Sequence, residues 1–479
     1  MATRIWLDKW LLSVVILILL TTFLDRAIPE GLFFDGLTYS SIARNLAQGE
    51  GSFWHLVYMY EFYEHPPLAL ALQAVFFQIL GDSFYTEKIF CLFNYIITLL
   101  LLGKLWQKVY GSFELFWIVL LFWGFSPVVL WSYANNLLDN TMAIFDLLAV
   151  IFLYHAFQNS SVWDYLLAFF AYFCIILAIG SKGPVGMFPL AIPSIYYLTY
   201  RKSTLKVVII QIILILGVVS TLYFIYQLPD SQQFIQKYWQ QQVQASIQGQ
   251  RDVTASPWGR FVLIEELLVQ LLPGLAITFF VVIANWFFNK KWIQLQNNST
   301  FAFFLLVGCS ASLPMLISLK IRWFYLIPAI PYFTIAFAYL VAPVVRYWLN
   351  KANLNLWKTR LYFTYAIAII GCSGYLLSKI GTTGRDHILT ADLKKIQPFI
   401  PQKADVFICQ AMHQDWTMIA YFQRYLRTKF TDELHNTTYA LLNTDLCSED
   451  ELLKNNFLRI TTHTVQYHLY KKQNNTKTQ

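Results

Sequence analysis

Apolar runs close to the roughly 20 residues needed to cross a bilayer recur along most of the chain, separated by short polar punctuation. We count about eleven, near residues 10–25, 84–103, 113–133, 138–157, 164–181, 184–200, 206–227, 263–288, 300–319, 323–343 and 361–379. Each reads as a helix, because a backbone in lipid must satisfy its own hydrogen bonds. The run from Pro67 to Leu80 is apolar as well, but it has only 14 residues and is broken by Gln73 and Gln78. It suits an interfacial or re-entrant helix better than a span. Three polar segments are too long for simple turns: residues 26–83, residues 228–262, and the tail from about 380. The second is rich in glutamine from Gln232 to Gln250 and reads as helix plus loop. In the tail the pattern changes. Ala404 to Cys409 alternates as a strand, Asp415 to Arg427 has helical spacing, and Tyr439 to Leu442 and Val465 to Tyr470 read as further strands. The expected organisation is a polytopic α-helical membrane domain, residues 1–380, followed by a small α/β exterior domain, residues 381–479.

Composition agrees with this division. With 57% hydrophobic residues, 13% charged residues and a mean hydropathy of +0.48, the chain has too little polar surface to fold in water. Charge then orients it. With Pro67 to Leu80 left out of the spans, Arg4 and Lys9, Lys104 and Lys108, Arg201, Lys202 and Lys206, Lys290 and Lys291, and Arg346, Lys351, Lys358 and Arg360 all fall on one side. That side is cytoplasmic by the positive-inside rule. The N-terminus is then inside, and an odd number of spans places the last hundred residues outside the cell membrane, on its exterior or periplasmic face. No small-residue cleavage site follows the first run, so it reads as an anchor, not a signal peptide. The net charge of +8 therefore speaks of topology and contact with membrane lipids, and it does not suggest nucleic acid. Cys91, Cys174, Cys309 and Cys372 sit within apolar runs as small core residues, whereas Cys409 and Cys447 in the tail are free to pair in an oxidising compartment.

Candidate chemistry gathers on the exterior side. Asp35 precedes a helical pattern in FFDGLTYSSIARNLAQGEG, and Glu64 and His65 stand before Pro66 and Pro67, which stiffen the backbone there. Asp139 opens a later run in YANNLLDNTMAIF. Helix capping accounts for Asp35 as well as catalysis does and, taken alone, for Asp139 better, and a solvated turn accounts for Glu64 and His65 as well as chemistry does. Lys182 in IGSKGPVGMFP, and Lys320 and Arg322 in SLKIRWFYLIPAIP, lie at exterior hinges. Snorkelling is the plain reading for these cations, yet they sit on the face where the charge rule predicts depletion. Carboxylates and cations from distant parts of the chain thus share one membrane face. Sugar transfer from a polyprenyl phosphate needs both: a base for the acceptor hydroxyl and positive charge for the departing phosphate.

At these residues the chain resembles the membrane glycosyltransferases of the protein O-mannosyltransferase and lipid A aminoarabinose transferase superfamily, which have the C-type glycosyltransferase fold. The resemblance runs in order over about residues 10–345. It takes in Asp35, the Tyr39 to Gly49 helix, the acid-x-Pro-Pro element at Glu64 to Pro67, Leu138 with Asp139, Ser181 to Pro184, and Ser318 to Pro328. It implies Asp35 as catalytic base in an inverting single displacement, with Asp139 supporting it. It also implies Lys182, Lys320 and Arg322 on the lipid phosphate, Arg44 and His65 in substrate binding, and Glu64 as a metal ligand. There are departures. Gly36 follows Asp35 where many relatives carry a second acid, and the later loop reads KYWQQQVQAS where aminoarabinose transferases carry a ligand histidine. A divalent metal ion therefore stays open, since Glu64 and His65 alone are a thin ligand set. The implied partners are a polyprenyl-phosphate sugar donor and a glycan, lipid or protein acceptor. A polytopic transporter or lipid flippase is the competing reading. Against it stand spans nearly free of ionisable groups at mid-depth and the lack of paired repeats. A catalytically inactive scaffold of the same fold is the third.

Overall fold

The computed structural model describes residues 2–159, 161–251, 259–289, 298–352 and 357–473. Lys290 and Lys291, two residues of the charge pattern, lie outside the described residues, as does the side chain of Arg4. Among the described residues nine helices are long and apolar enough to cross a membrane: Ile5–Ala27, Phe84–Tyr110, Leu138–Gln158, Trp163–Lys182, Thr204–Tyr226, Gly259–Phe288, Asn298–Ile317, Ile330–Lys351 and Lys358–Ser378. A tenth expected run is present as two pieces, Phe116–Gly124 and Pro127–Asn135, bent by 72°. The bend has a local cause. Pro127 has no amide hydrogen to give, and Ser126 before it is extended at ψ 123.

The eleventh run, residues 184–200, is not one α-helix. Pro184–Ala191 is a 3₁₀ helix with Pro189 inside it, and Ile192–Tyr200 continues as α-helix with Pro193 in its first turn. Prolines remove the amide donors that an unbroken α-helical ladder would use. The tighter 3₁₀ winding rises about 2 Å per residue, so the two pieces together give about 30 Å of rise. The apolar helix expected after the paired prolines is Leu68–Leu80, 13 residues and too short to span.

The chain divides into two compact units. One is the helical bundle, residues 1–26, 63–69 and 89–378; the other gathers residues 27–62, 70–88 and 379–479. The tail therefore does not build its core alone. Leu32 and Leu37 from the first polar segment share a buried cluster with Met418, Tyr421, Phe422 and Leu469. The tail's sheet has five strands, β1 (Asp405–Phe407), β2 (Lys429–Thr431), β3 (Tyr439–Asn443), β4 (Phe457–Arg459) and β5 (Tyr467–Lys472), in the order β2-β1-β3-β5-β4. β1 runs parallel to β2 and β3, while β5 is antiparallel to β3 and β4. The helix expected at Asp415 to Arg427 is Trp416–Leu426, capped by the Asp415 carboxylate, which accepts the Met418 amide at 3.0 Å. Cys409 and Cys447 form a disulfide.

Candidate functional site

In the bundle, Asp139 is the second residue of Leu138–Gln158, and its helix starts at Leu137 without a side-chain cap. The carboxylate is not spent on capping. It accepts the ammonium of Lys182, 43 residues away, as an ion pair in which Asp139 is 1% and Lys182 7% exposed. Lys182 can reach it because its helix stops there. Gly183, at φ +88 and ψ −150, turns the chain through a conformation that residues with a Cβ rarely enter, and Pro184 follows. The Lys182 ammonium also lies over the rings of Tyr325, at 5.0 Å, and Phe324, at 5.6 Å. The hinge that carries Lys320 and Arg322 is thereby held against Lys182. Within that hinge, Ser318 Oγ donates to the Lys320 carbonyl and accepts the Lys320 amide, each at 3.1 Å. Arg322 is exposed at the start of the Trp323–Leu326 turn.

The acid-x-Pro-Pro element joins the same place. Burial of the His65 ring, followed by the charges of Lys182, Arg251 and Lys320, holds its pKa well below the ordinary histidine value, so the imidazole is neutral at neutral pH. Glu64 accepts a hydrogen bond from Arg251 at 3.1 Å. Tyr63 accepts one from Lys237 at 3.1 Å, with the ammonium 4.4 Å from the ring centre. Arg251 and Lys237 belong to the glutamine-rich segment, whose links to the site sequence reasoning missed. The segment also sends the Tyr238 hydroxyl toward the Lys182 carbonyl at 3.5 Å and accepts the Leu319 amide on the Ser246 carbonyl at 3.0 Å. One signal was present: a lone cation at each end of an otherwise uncharged stretch. The bundle thus brings Glu64, His65, Asp139, Lys182 and Lys320 together.

Asp35 and Arg44 belong to the other unit. Asp35 is the second residue of Phe34–Ala47, partly exposed in the first turn, where the helix dipole favours a carboxylate. The cap position itself falls on Phe33, so Asp35 is not the cap. Arg44 is 1% exposed. Its guanidinium donates to the carbonyls of Gln423, at 3.3 Å, and Arg424, at 2.7 Å, and to Asn45 Oδ1 at 2.9 Å. Burial, then the neighbouring Arg424 charge, lowers its pKa to about 10. Arg44 ties this unit together, and the site proposed below does not include it.

Two further expectations change. Glu64 does not gather a cation site: among the described residues no three His, Cys, Asp or Glu side chains form a group able to hold a metal ion, and the Glu64 carboxylate faces Arg251. Among the described residues the donor set at Glu64 is therefore too small for a divalent metal. Nor is mid-depth empty. Asp146, two turns beyond Asp139 on the same helix, is fully buried, and among the described residues neither of its carboxylate oxygens has a hydrogen-bond partner. The Tyr332 hydroxyl is likewise buried without a hydrogen-bond partner among the described residues. A single polar residue in a long apolar run hides easily from a periodicity count.

Comparison with known proteins adds three findings. Residues 64–227, which contain Glu64, His65, Asp139 and Lys182, match the family model for dolichyl-phosphate-mannose-protein mannosyltransferase. No curated protein sequence matches the chain. Among solved structures, ArnT from Cupriavidus metallidurans in the apo state is similar at a TM-score of 0.65 and 14% identity, covering 98% of each chain. The same protein bound to undecaprenyl phosphate is similar at a TM-score of 0.60 and 14% identity, covering 97% of each chain. The resemblance drawn from the motifs holds for the fold: the chain has the C-type glycosyltransferase fold seen in ArnT, and residues 64–227 carry the pattern of the mannosyltransferase family model.

Proposed function

We propose that this protein is a membrane glycosyltransferase that moves a sugar from a polyprenyl-phosphate-linked donor to an acceptor hydroxyl at the exterior face. The observation that carries the reading is the buried Asp139–Lys182 pair beneath Tyr325, with Lys320 near enough for its charge to act on His65. ArnT, whose fold this chain shares, was solved with undecaprenyl phosphate bound, which supports a donor of that class. Lys182 enters with its charge offset by Asp139, so an arriving phosphate shares the ammonium without leaving it bare in the interior beforehand. Lys320 and Arg322 add positive charge where the leaving group's charge grows during the reaction. Neutral His65 offers a hydrogen bond and not a charge.

The resemblance assigns Asp35 as the base that removes the acceptor proton in an inverting single displacement. Losing a positioned base costs about 10² to 10⁴ in rate. The test is release of lipid phosphate from a radiolabelled undecaprenyl-phosphate sugar by the purified full chain, with Asp35→Asn and Lys182→Met beside the wild type. Loss of turnover in Asp35→Asn with the fold retained is the expected result; wild-type turnover there removes Asp35 from the mechanism. The charge pattern supports an integral cell-membrane location with the N-terminus cytoplasmic and the disulfide-bearing tail on the exterior side.

A further inference from the structure

The glutamine-rich segment does more than brace the site. Nine glutamines fall between Pro229 and Gln250, and no charged residue occurs from Tyr238 to Gln250. Gln233, Gln236, Gln240, Gln244 and Gln248 recur at intervals of three and four, which lines them along one helix face, and all five are exposed. Among them only Gln236 has a side-chain hydrogen bond to the described residues, to Tyr226. Their neighbour Trp239 is 52% exposed. Trp239–Gln244 winds as a π-helix, a rare wide turn that is frequently found at functional sites. Facing inward, the same segment buries Phe234 and Ala245 and touches Lys182, Leu319, Tyr63 and Glu64 through the contacts above.

An uncharged row of primary amides beside an exposed indole has a definite ligand chemistry. Each amide offers both donors and an acceptor, which matches vicinal hydroxyls, and an indole face packs against the C–H face of a sugar ring. An anionic partner would call for cations, and the one cation within this stretch, Lys237, is turned to Tyr63. We propose that the stripe around Trp239 is the acceptor-docking surface of the enzyme and that it takes a neutral, hydroxyl-rich glycan in preference to an anionic glycolipid or a peptide. This rests on the glycosyltransferase reading and narrows its acceptor.

The test uses the full chain in lipid nanodiscs and reads binding apart from turnover. Neutral gluco-, manno- and galacto-pentaoses, lipid A and a serine- and threonine-rich peptide are compared by saturation-transfer NMR, for the wild type, Trp239→Ala and the Gln240→Ala/Gln244→Ala pair. Binding of undecaprenyl phosphate on the same preparations reports the donor reading alone. The expected result is binding of at least one neutral pentaose, weakened about tenfold in each variant as stacking or paired amide contacts are lost, with undecaprenyl phosphate binding unchanged. Binding of lipid A or the peptide but of no neutral pentaose overturns the inference. So does pentaose binding at wild-type strength in both variants, which would leave Trp239 as a membrane-interface anchor.

Discussion

The Asp139–Lys182 pair sets a test that does not depend on the substrate. Both side chains are almost wholly withdrawn from solvent, at 1% and 7% exposed, so neither charge has water to fall back on. Replacing Lys182 by Met removes the partner and leaves a buried carboxylate; Asp139→Asn leaves a buried ammonium over the rings of Tyr325 and Phe324. Breaking a buried pair from one side costs about 3 to 5 kcal/mol, whereas removing both charges together is often close to neutral. The double variant Asp139→Asn/Lys182→Met should therefore be more stable than either single variant. Graded SDS denaturation of the purified protein, followed by far-UV circular dichroism, measures all four members of the cycle. If each single variant lies within about 0.5 kcal/mol of the wild type, or the double variant falls by the sum of the singles, the charges are not coupled and the pair has been misjudged.

Other expectations follow from the same physical terms. His65 is held neutral in the folded chain, while the unfolded chain takes up a proton near pH 6.5; its contribution to stability is present above about 6.5 and lost as pH falls from there toward the depressed folded value. His65→Gln should flatten that part of the stability-against-pH curve, and an unchanged curve would clear His65 of the acid sensitivity. The Cys409–Cys447 bridge closes a separation of 38 residues, worth about 4 kcal/mol by loop entropy, so Cys447→Ala should unfold the tail at markedly lower denaturant in limited proteolysis. Among the described residues Asp146 has no partner to lose. Asp146→Asn and Asp146→Leu should match or exceed wild-type stability in thermal unfolding, and a loss above about 2 kcal/mol would reveal a partner for its carboxyl group.

Long apolar runs were legible in the sequence because lipid imposes a length, and Ile5–Ala27, Leu138–Gln158 and Thr204–Tyr226 fall where the runs did. Breaks were harder to see. Pro127 bends its run and Pro189 converts part of another to 3₁₀ winding, effects that depend on how neighbouring helices accept the freed carbonyls. In the tail, the helix from Asp415 was visible by its spacing and β1 by the alternation from Ala404 to Cys409, whereas the equally short β2 and β4 were not read. The site was legible as a set of residue types and opaque as a set of bonds. Asp139 looked like a cap, and its partner lies 43 positions on; Arg44 looked like a substrate contact, and its carbonyl acceptors lie 379 and 380 positions on. No local pattern encodes such distances.

That last separation has a consequence for biogenesis. Arg44 emerges from the ribosome early, yet the carbonyls that satisfy it arrive some 380 residues later, after the rest of the bundle has been made. At about 5 to 20 residues per second, the nascent first loop waits on the order of a minute without its partners. A prematurely terminated product would carry an unsatisfied guanidinium and the uncovered side chains of Leu32 and Leu37, a marking that quality-control proteases can recognise.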